Sequence, residues 1–363
     1  MKVVAINGPK QCVLLDKPEP TVKEDFVKVK ITVAPMCTEF HGYAQGWAGD
    51  SIGHEAAGEV AEIAQPGTVK VGDRVVVMPQ YPCGKCALCM AGDYIHCESG
   101  IDPLKICGCG CGTATYAQYC IKQDWLLLPI PDDISTEHAS MACCGLGPTF
   151  GAMHQMHVDS FDTVAVVGLG PVGLGGVINA VHRGARVIGV DSNPYRARLA
   201  MDLGARAIID PKDPDAVKQI KALTAGRGVD KSIDCTAVPA AQKFAIEATR
   251  RRGHVGFVGW GGHIEMDNMI PQGLTLQGFW HWNLTLAPRM MQLIRDVKPS
   301  LDKVITHRYP MSQVKEAWEQ QLTGQTGKVL LYPWAEAEPQ SQRETAGCRK
   351  HEMAARKGNG VKA

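Results

Sequence analysis

Through the first part of the chain, apolar and polar residues alternate in short runs that end at Gly, Pro or Asp. VKVKITVAP, GEVAEIA and DRVVVMP are β-branched segments of this kind, and a period of two closed by turn residues predicts strands. Past about residue 160 the pattern changes. Val164–Val167 is a continuous apolar run, as expected of a strand covered on both faces. Pro171–Arg183 reads as a helix, Val187–Val190 as a strand, and Pro194–Leu203 as a helix with Pro194 in its first turn, where proline is tolerated. Ala207–Ile209, Val229–Ile233 and His254–Val258 supply further short strands with helical segments between them. Beyond about residue 284, Pro288–Asp296 and Ser312–Gln321 read as helices and Lys328–Leu331 as a closing strand. The stretch from Ala335 has no apolar period and is expected to be disordered. No internal repeat is visible.

Strands alternating with helices predict an α/β fold with a doubly wound parallel sheet, set beside a β-rich region at the N-terminus. Composition adds exclusions. A formal net charge of +1 over 363 residues offers no electrostatic footprint for nucleic acid or an anionic membrane. No run approaches the roughly 18 apolar residues that would span a bilayer. The opening MKVVAINGPKQCVLLDKPEP lacks the apolar core and cleavage site of a secretory signal. Fourteen cysteines with no sign of export therefore predict reduced thiols in the cytoplasm, several of them engaged by metal.

Three groups of residues carry chemistry. Cys83, Cys86, Cys89 and Cys97 form C-x2-C-x2-C-x7-C. Four thiolates so close together can close a tetrahedral shell around one zinc with no position left for substrate, which predicts a structural metal. Two disulfides or a redox pair are the alternative, disfavoured by the reducing compartment. The second group follows the strand Val164–Val167. Gly168-Leu169-Gly170-Pro171-Val172-Gly173 matches G-x-G-x-x-G, opens a helix, and has Asp191 at the end of the next strand, 18 positions beyond Gly173. The glycines allow a tight turn and close approach of a pyrophosphate to the helix N-terminus. Asp191 would accept from both ribose hydroxyls and repel a 2′-phosphate, so NAD is expected over NADP. Arg196 and Arg198, just downstream, argue mildly the other way. The third group is scattered: Cys37 and His41, His54 and Glu55, and the pair Cys143-Cys144. Two sulfurs and an imidazole can hold zinc and leave a fourth position open.

Taken in order, Cys37, Gly53-His54-Glu55, the four-cysteine lobe, Cys144, and GLGPVG with Asp191 resemble the zinc-dependent medium-chain dehydrogenase/reductase superfamily, of the alcohol, sorbitol and threonine dehydrogenase type. The similarity covers roughly residues 1–334. It implies a GroES-like catalytic domain over 1–150 with the zinc lobe at 83–97, and a Rossmann NAD-binding domain over 151–283. A segment over 284–334 would complete the catalytic domain, with a tail over 335–363. By the same resemblance Cys37, His54 and Cys144 match the catalytic zinc ligands, and Glu55 a residue that is a ligand in some members and an outer partner in others. Cys143 stands as an alternative third ligand. Where the polyol and threonine branches carry a glutamate followed by Pro-Leu, this chain has Cys144-Gly-Leu, the alcohol-dehydrogenase kind of ligand. One departure concerns the run Cys-x-Ser/Thr-Asp-x-His, which is one residue shorter here: Cys37-Thr38-Glu39-Phe40-His41. If the loop adjusts, Thr38 is the relay hydroxyl, Glu39 orients a ligand and His41 is the outer relay.

The implied activity is hydride transfer between an alcohol and NAD, with zinc as Lewis acid on the alcohol oxygen. Members of the family pair through the edge of the nucleotide-binding sheet, which implies a homodimer or homotetramer. Tyr43, Trp47 and Trp280-His281-Trp282 could line a pocket for a sugar, cyclitol or aromatic alcohol, or form an interface. A polyol or other secondary alcohol is the mild preference. Cys107, Cys109 and Cys111 read as small residues of a glycine-rich turn. Two rivals remain: a zinc-independent quinone or enoyl reductase of the same fold, and a non-catalytic protein that binds zinc and nucleotide.

Overall fold

The structure is a computed structural model that describes residues 1–264 and 269–336. Beyond Glu336, the expectation of a disordered tail lies outside the described residues.

The N-terminal strands are β1 (Lys2–Gly8), β2 (Gln11–Asp16), β3 (Phe26–Pro35), β4 (Ala56–Ile63), β5 (Arg74–Val77), β6 (Tyr119–Gln123) and β7 (Leu127–Pro129). The second half contributes β8 (Thr163–Val167), β9 (Arg186–Val190), β10 (Ala207–Ile209), β11 (Val229–Asp234), β12 (Thr249–Phe257) and β13 (Thr275–Gly278). The last two are β14 (Ile305–Pro310) and β15 (Lys328–Tyr332).

β8 to β13 form a six-stranded sheet in the order β10-β9-β8-β11-β12-β13, with every neighbouring pair parallel. That is the dinucleotide-binding order, whose ligand crevice lies beyond the carboxyl ends of the central strands, at β8 and its neighbours. All five residues of β8 are buried, because helices cover a parallel sheet on both faces. The helices Pro171–His182 and Pro194–Asp202 match the predicted ones to within a residue.

The second large sheet joins distant parts of the chain. Its order is β14-β15-β3-β4-β5-β7, with β6 also on β3. β3 alternates inward and outward residues through its middle, as a strand with one wet face should. β15 lies antiparallel to β3 through Leu330–Pro35 and Leu331–Ala34, so residues from the end of the chain enter the N-terminal sheet. β14 (Ile305–Pro310) and the helix Lys298–Val304 are additions to the predicted elements. The helical reading of Ser312–Gln321 resolves into a 3-10 turn, Met311–Gln313, and an α-helix, Val314–Leu322. Among the described residues, no helix is long and apolar enough to cross a membrane.

Candidate metal centres and cofactor loop

The lobe lies between β5 and β6. Its backbone makes one short helix, Ala87–Met90, and a 3-10 turn, Tyr94–His96. These turns bring the four sulfurs of Cys83, Cys86, Cys89 and Cys97 within 4.8 Å of one another. Cys86 Sγ lies 3.5 Å from Cys89 Sγ and 3.9 Å from Cys97 Sγ. Zn–S bonds of about 2.3 Å at tetrahedral angles put sulfurs roughly 3.8 Å apart, so the cage has the size a zinc needs. Neighbouring backbone N–H groups point at the sulfurs: Cys83 N donates to Cys97 Sγ at 3.2 Å, Cys86 N to Cys83 Sγ at 3.3 Å, and Ser99 N to Cys97 Sγ at 3.4 Å. Such donors favour thiolate, and the Cys86 thiol is held down at about 6, chiefly by the N–H groups of Cys89 and Glu98. All four cysteines are free of disulfides.

Asn283 clips the lobe to the rest of the molecule. Its amide donates to Ala91 O at 2.8 Å and Asp93 Oδ1 at 2.9 Å, while Leu284 N donates to Gly92 O.

The second centre gathers Cys37, His54, Glu55 and Cys144, again with ligand atoms within 4.8 Å. Each comes from the end of an element: Cys37 follows β3, His54 and Glu55 precede β4, and Cys144 lies in the turns before the helix Gly147–Gln155. His54 Nε2 faces Cys144 Sγ at 3.2 Å. On its other side, Nδ1 lies 2.6 Å from Glu39 Oε1. That arrangement directs Nε2 at the centre and gives Nδ1 to the carboxylate, the orientation a metal-ligating histidine needs.

In the shortened loop, Glu39 reaches the His54 ring. Glu39 carries one methylene more than aspartate, and its reach makes up for the missing residue. Its Oε2 also accepts from Cys37 N at 3.0 Å and from Tyr116 Oη at 2.9 Å. Burial disfavours the ionised carboxyl, yet the His54 ring beside it holds it down at about 2. His54 shows the converse: burial opposes its charge, and Glu39 and Cys37 outweigh burial and raise it.

Glu55 lies in the same cluster, its Oε1 4.0 Å from His54 Nε2, and both its oxygens are engaged. Its Oε1 pairs with Lys328 Nζ at 2.7 Å and its Oε2 accepts from Cys144 N at 3.1 Å. Both side chains of this pair are essentially without exposure. Burial pushes the Glu55 carboxyl up, to about 7, against the pull of Lys328. Glu55 thus fixes the backbone at Cys144 while its carboxylate stays within ligand distance of the two sulfurs and the imidazole. The Cys144 thiol beside it, more than any other group, keeps Cys37 well below the usual thiol range, and Cys144 is raised in turn. Two thiols and an imidazole competing for protons are a set from which a soft divalent cation displaces those protons.

Cys143 does not take part. It is buried and its Sγ donates to Val77 O at 3.4 Å, on the other side of the chain from Cys144. Cys109 and Cys111 donate to the carbonyls of Cys111 and Pro18. Among the described residues, only the two groups above gather at ligand distance.

Thr38 and His41 sit at the start of the helix Glu39–Gln45, both exposed. The Thr38 hydroxyl makes no cap hydrogen bond, and His41 touches Thr38 through its backbone N–H. The aromatic residues need correcting. Tyr43 is fully buried, stacked on Trp318 and bonded to Glu319. Trp282 is buried and donates to Ala142 O at 2.9 Å. Both rings pack the core, the Tyr43 hydroxyl reaching the partly exposed Glu319 and the Trp282 indole a buried carbonyl. Trp280 is half-buried against Trp260 and His96.

The glycine loop lies where β8 meets the helix Pro171–His182, with Gly170 as its N-cap and Pro171 at its first position. A Cβ on Gly173 would fall 1.8 Å from Gly168 O, so only glycine permits this approach of helix to strand. Asp191 holds the loop: its Oδ2 accepts from Leu169 N and its Oδ1 from Asn193 N, each at 2.8 Å. Val172 follows Pro171 in the helix, and Arg196 is brought against the loop, one guanidinium nitrogen 4.0 Å from the position of a Gly170 Cβ. Its buried Nε has no hydrogen-bond partner.

Two residues of the second centre escaped the sequence reading. Lys328 was visible only as the polar first residue of an apolar strand, and Tyr116 gave no signal at all.

A parallel dinucleotide-type sheet, a β-rich domain and two cysteine-based metal centres together define a zinc-binding dehydrogenase. Residues 23–132 match the family described as alcohol dehydrogenase GroES-like domain, and residues 171–296 the one described as zinc-binding dehydrogenase. The chain is 31% identical to an L-threonine 3-dehydrogenase of Symbiobacterium thermophilum, covering 88% of this chain and 94% of that one. It is 29% identical to a sorbitol dehydrogenase of Bacillus subtilis, covering 92% and 97%. Among solved structures, 2R,3R-butanediol dehydrogenase from Bacillus subtilis superposes with a TM-score of 0.77 at 26% identity, covering 92% and 99%. The chain belongs to the zinc-dependent medium-chain dehydrogenase superfamily.

Proposed function

We propose that this enzyme is an NAD-linked dehydrogenase of secondary alcohols, with a polyol or another alcohol bearing a polar group next to the carbinol carbon as substrate. The observation that carries the proposal is the gathering of Cys37, His54, Glu55 and Cys144, with their ligand atoms within 4.8 Å of one another. Cys37, His54 and Cys144 would hold the catalytic zinc, and the lobe a second, structural one. When bound, zinc supplies Lewis acidity toward the alcohol oxygen, and NAD supplies the hydride acceptor.

The chain's own residues do the rest. Glu39 keeps the His54 ring aimed at the centre, and Glu55 with Lys328 anchors Cys144. Thr38 and His41, exposed beside Cys37, form the route by which the hydroxyl proton leaves, since an imidazole exchanges protons near neutral pH. Asp191 has lone pairs left for the ribose hydroxyls after its two backbone bonds, and its charge opposes a 2′-phosphate. That favours NAD over NADP. Arg196 would lie beside the diphosphate.

The substrate class rests on the relatives. Sorbitol, L-threonine at position 3 and 2R,3R-butanediol, after which those relatives are named, all offer a secondary alcohol with a polar neighbour. Cys144 is the alcohol-dehydrogenase kind of ligand, whereas the sorbitol and threonine dehydrogenases are similar over nearly their full length. A zinc-independent reductase is disfavoured by the assembled ligand set. The test is a panel of diols, polyols, L-threonine and simple alcohols, each with NAD and NADP, on protein of measured zinc content. Turnover of vicinal diols with NAD at two zincs per chain supports the proposal. Equal activity at one zinc per chain overturns it.

A further inference from the structure

We infer that Tyr116 is a positioning residue for the metal of the Cys37–His54–Cys144 centre, acting through Glu39. The inference rests on the reading of that centre as a zinc site. Nothing in the chain's motifs marks Tyr116. It lies just before β6 in GTATYAQY, where the local pattern asks only for a core aromatic.

Its surroundings give it a narrower task. The ring is completely buried. Its backbone is held on both sides, Tyr116 N donating to Ile52 O and Val4 N to Tyr116 O. Trp318 lies against it, centroids 6.1 Å apart. The ring also presses on the backbone immediately before His54: a Cβ on Gly53, whose φ is +89°, would fall 2.5 Å from Tyr116 Cδ1. The phenol is thus fixed relative to the backbone of a ligand before any side chain is considered.

From that fixed position the hydroxyl donates to Glu39 Oε2 at 2.9 Å. Glu39 is the hub of the centre. One oxygen takes the Cys37 N–H and the Tyr116 hydroxyl, and the other faces His54 Nδ1. A glutamate has an additional rotatable bond over an aspartate and more freedom to lose when ordered. The Cys37 N–H alone restrains one oxygen from one direction. The phenol supplies the second direction and, with the carboxylate ionised, a charge-assisted hydrogen bond. Tyr116 therefore sets the orientation of His54 Nε2 without touching the metal or the substrate.

Tyr116→Phe keeps the ring and removes only the hydroxyl. Chelator competition on the holoprotein should show the catalytic-site zinc held about tenfold less tightly, the lower end of what outer partners of metal ligands contribute. The lobe zinc should be unchanged and serves as the control for folding. In cobalt-substituted protein the visible bands of the catalytic site should shift. In a Glu39→Ala background, adding Tyr116→Phe should cause no further loss, because the path through Glu39 is already cut. Trp318→Phe, which alters the packing of the same ring but leaves the hydrogen bond, should leave zinc affinity unchanged.

Affinity within twofold of the parent for Tyr116→Phe overturns the inference. So does an additive loss in the double variant, or an equal loss from Trp318→Phe. If the parent holds two zincs but turns over no alcohol, the dehydrogenase reading falls while these affinity results still decide the role of Tyr116. A parent that binds zinc only in the lobe overturns both.

Discussion

In the lobe, all four sulfurs come from residues 83–97, and the N–H groups that orient them lie within the same stretch. In the other centre the candidate donors come from positions 37, 54, 55 and 144, and the groups that orient them from 39, 116 and 328. A cage made within one loop can close whenever the loop forms, and closing it saturates the metal. A cage drawn from the ends of several elements exists only when β3, β4 and the turns before the helix Gly147–Gln155 have come together. The division matches structural against catalytic use of zinc.

The largest effect that would test this contrast is expected at Cys37. Cys37→Ala should lower kcat/KM by more than about 1,000-fold, or roughly 4 kcal/mol of transition-state stabilisation. Elemental analysis should then find one zinc per chain, in the lobe. Loss of both zincs would mean that the centres are not independent.

Next comes Lys328→Met, which leaves Glu55 buried without its partner. Breaking a buried pair from one side costs about 3–5 kcal/mol, and chemical denaturation should show a loss of that order. The neutralised Glu55 would also hold the Cys144 backbone less firmly, so catalytic-site zinc should be lost before lobe zinc on titration with chelator.

Cys97→Ala should do the reverse. The lobe loses its metal and the melting temperature falls by on the order of 5–10 °C, equivalent to roughly 2–3 kcal/mol for a domain of this size. The catalytic zinc and activity at low temperature should remain.

At neutral pH the smallest effect is expected at Lys122, at the root of the lobe. This lysine is buried, donates to Gln80 O at 2.8 Å and lies over the Tyr81 ring. Burial depresses its ammonium to about 7 from an ordinary 10.5. The unfolded chain therefore binds the proton more readily between those values, and this residue's contribution to stability rises as pH increases from about 7 to 10.5. Below about pH 7 both states are protonated and the contribution is flat at its lowest. Lys122→Met should remove that slope from a plot of parent minus variant stability against pH. An unchanged slope would show that the proton is bound equally in both states.

How much of this was legible before folding follows from distance along the chain. The lobe could be read whole, because a closed four-thiolate shell is a local spacing. The glycine loop and Asp191 could be read because strand, turn and helix follow each other within one βαβ unit. The alternation of strands and helices foretold the parallel sheet, since a buried strand writes itself as a continuous apolar run. β14 and the helix before it were missed, their residues being only partly apolar and lacking a clear period.

The open centre was legible in residue types and not in roles. Setting aside Cys143, the alternative to Cys144, required the direction of two adjacent side chains, one turned to Val77 O and the other to His54. Whether Glu39 could span the shortened loop depended on where β4 placed His54. Lys328 became the partner of Glu55 only through the pairing of β15 with β3. Tyr43 and Trp282 became packing residues through partners far away in the chain. The sequence by itself determined the family, through the order of its motifs, and the structural zinc cage and nucleotide loop, because the interactions of these two close within about thirty residues. Tertiary structure alone decided which groups orient the catalytic ligands, because those contacts exist only once the last strand is hydrogen-bonded to β3.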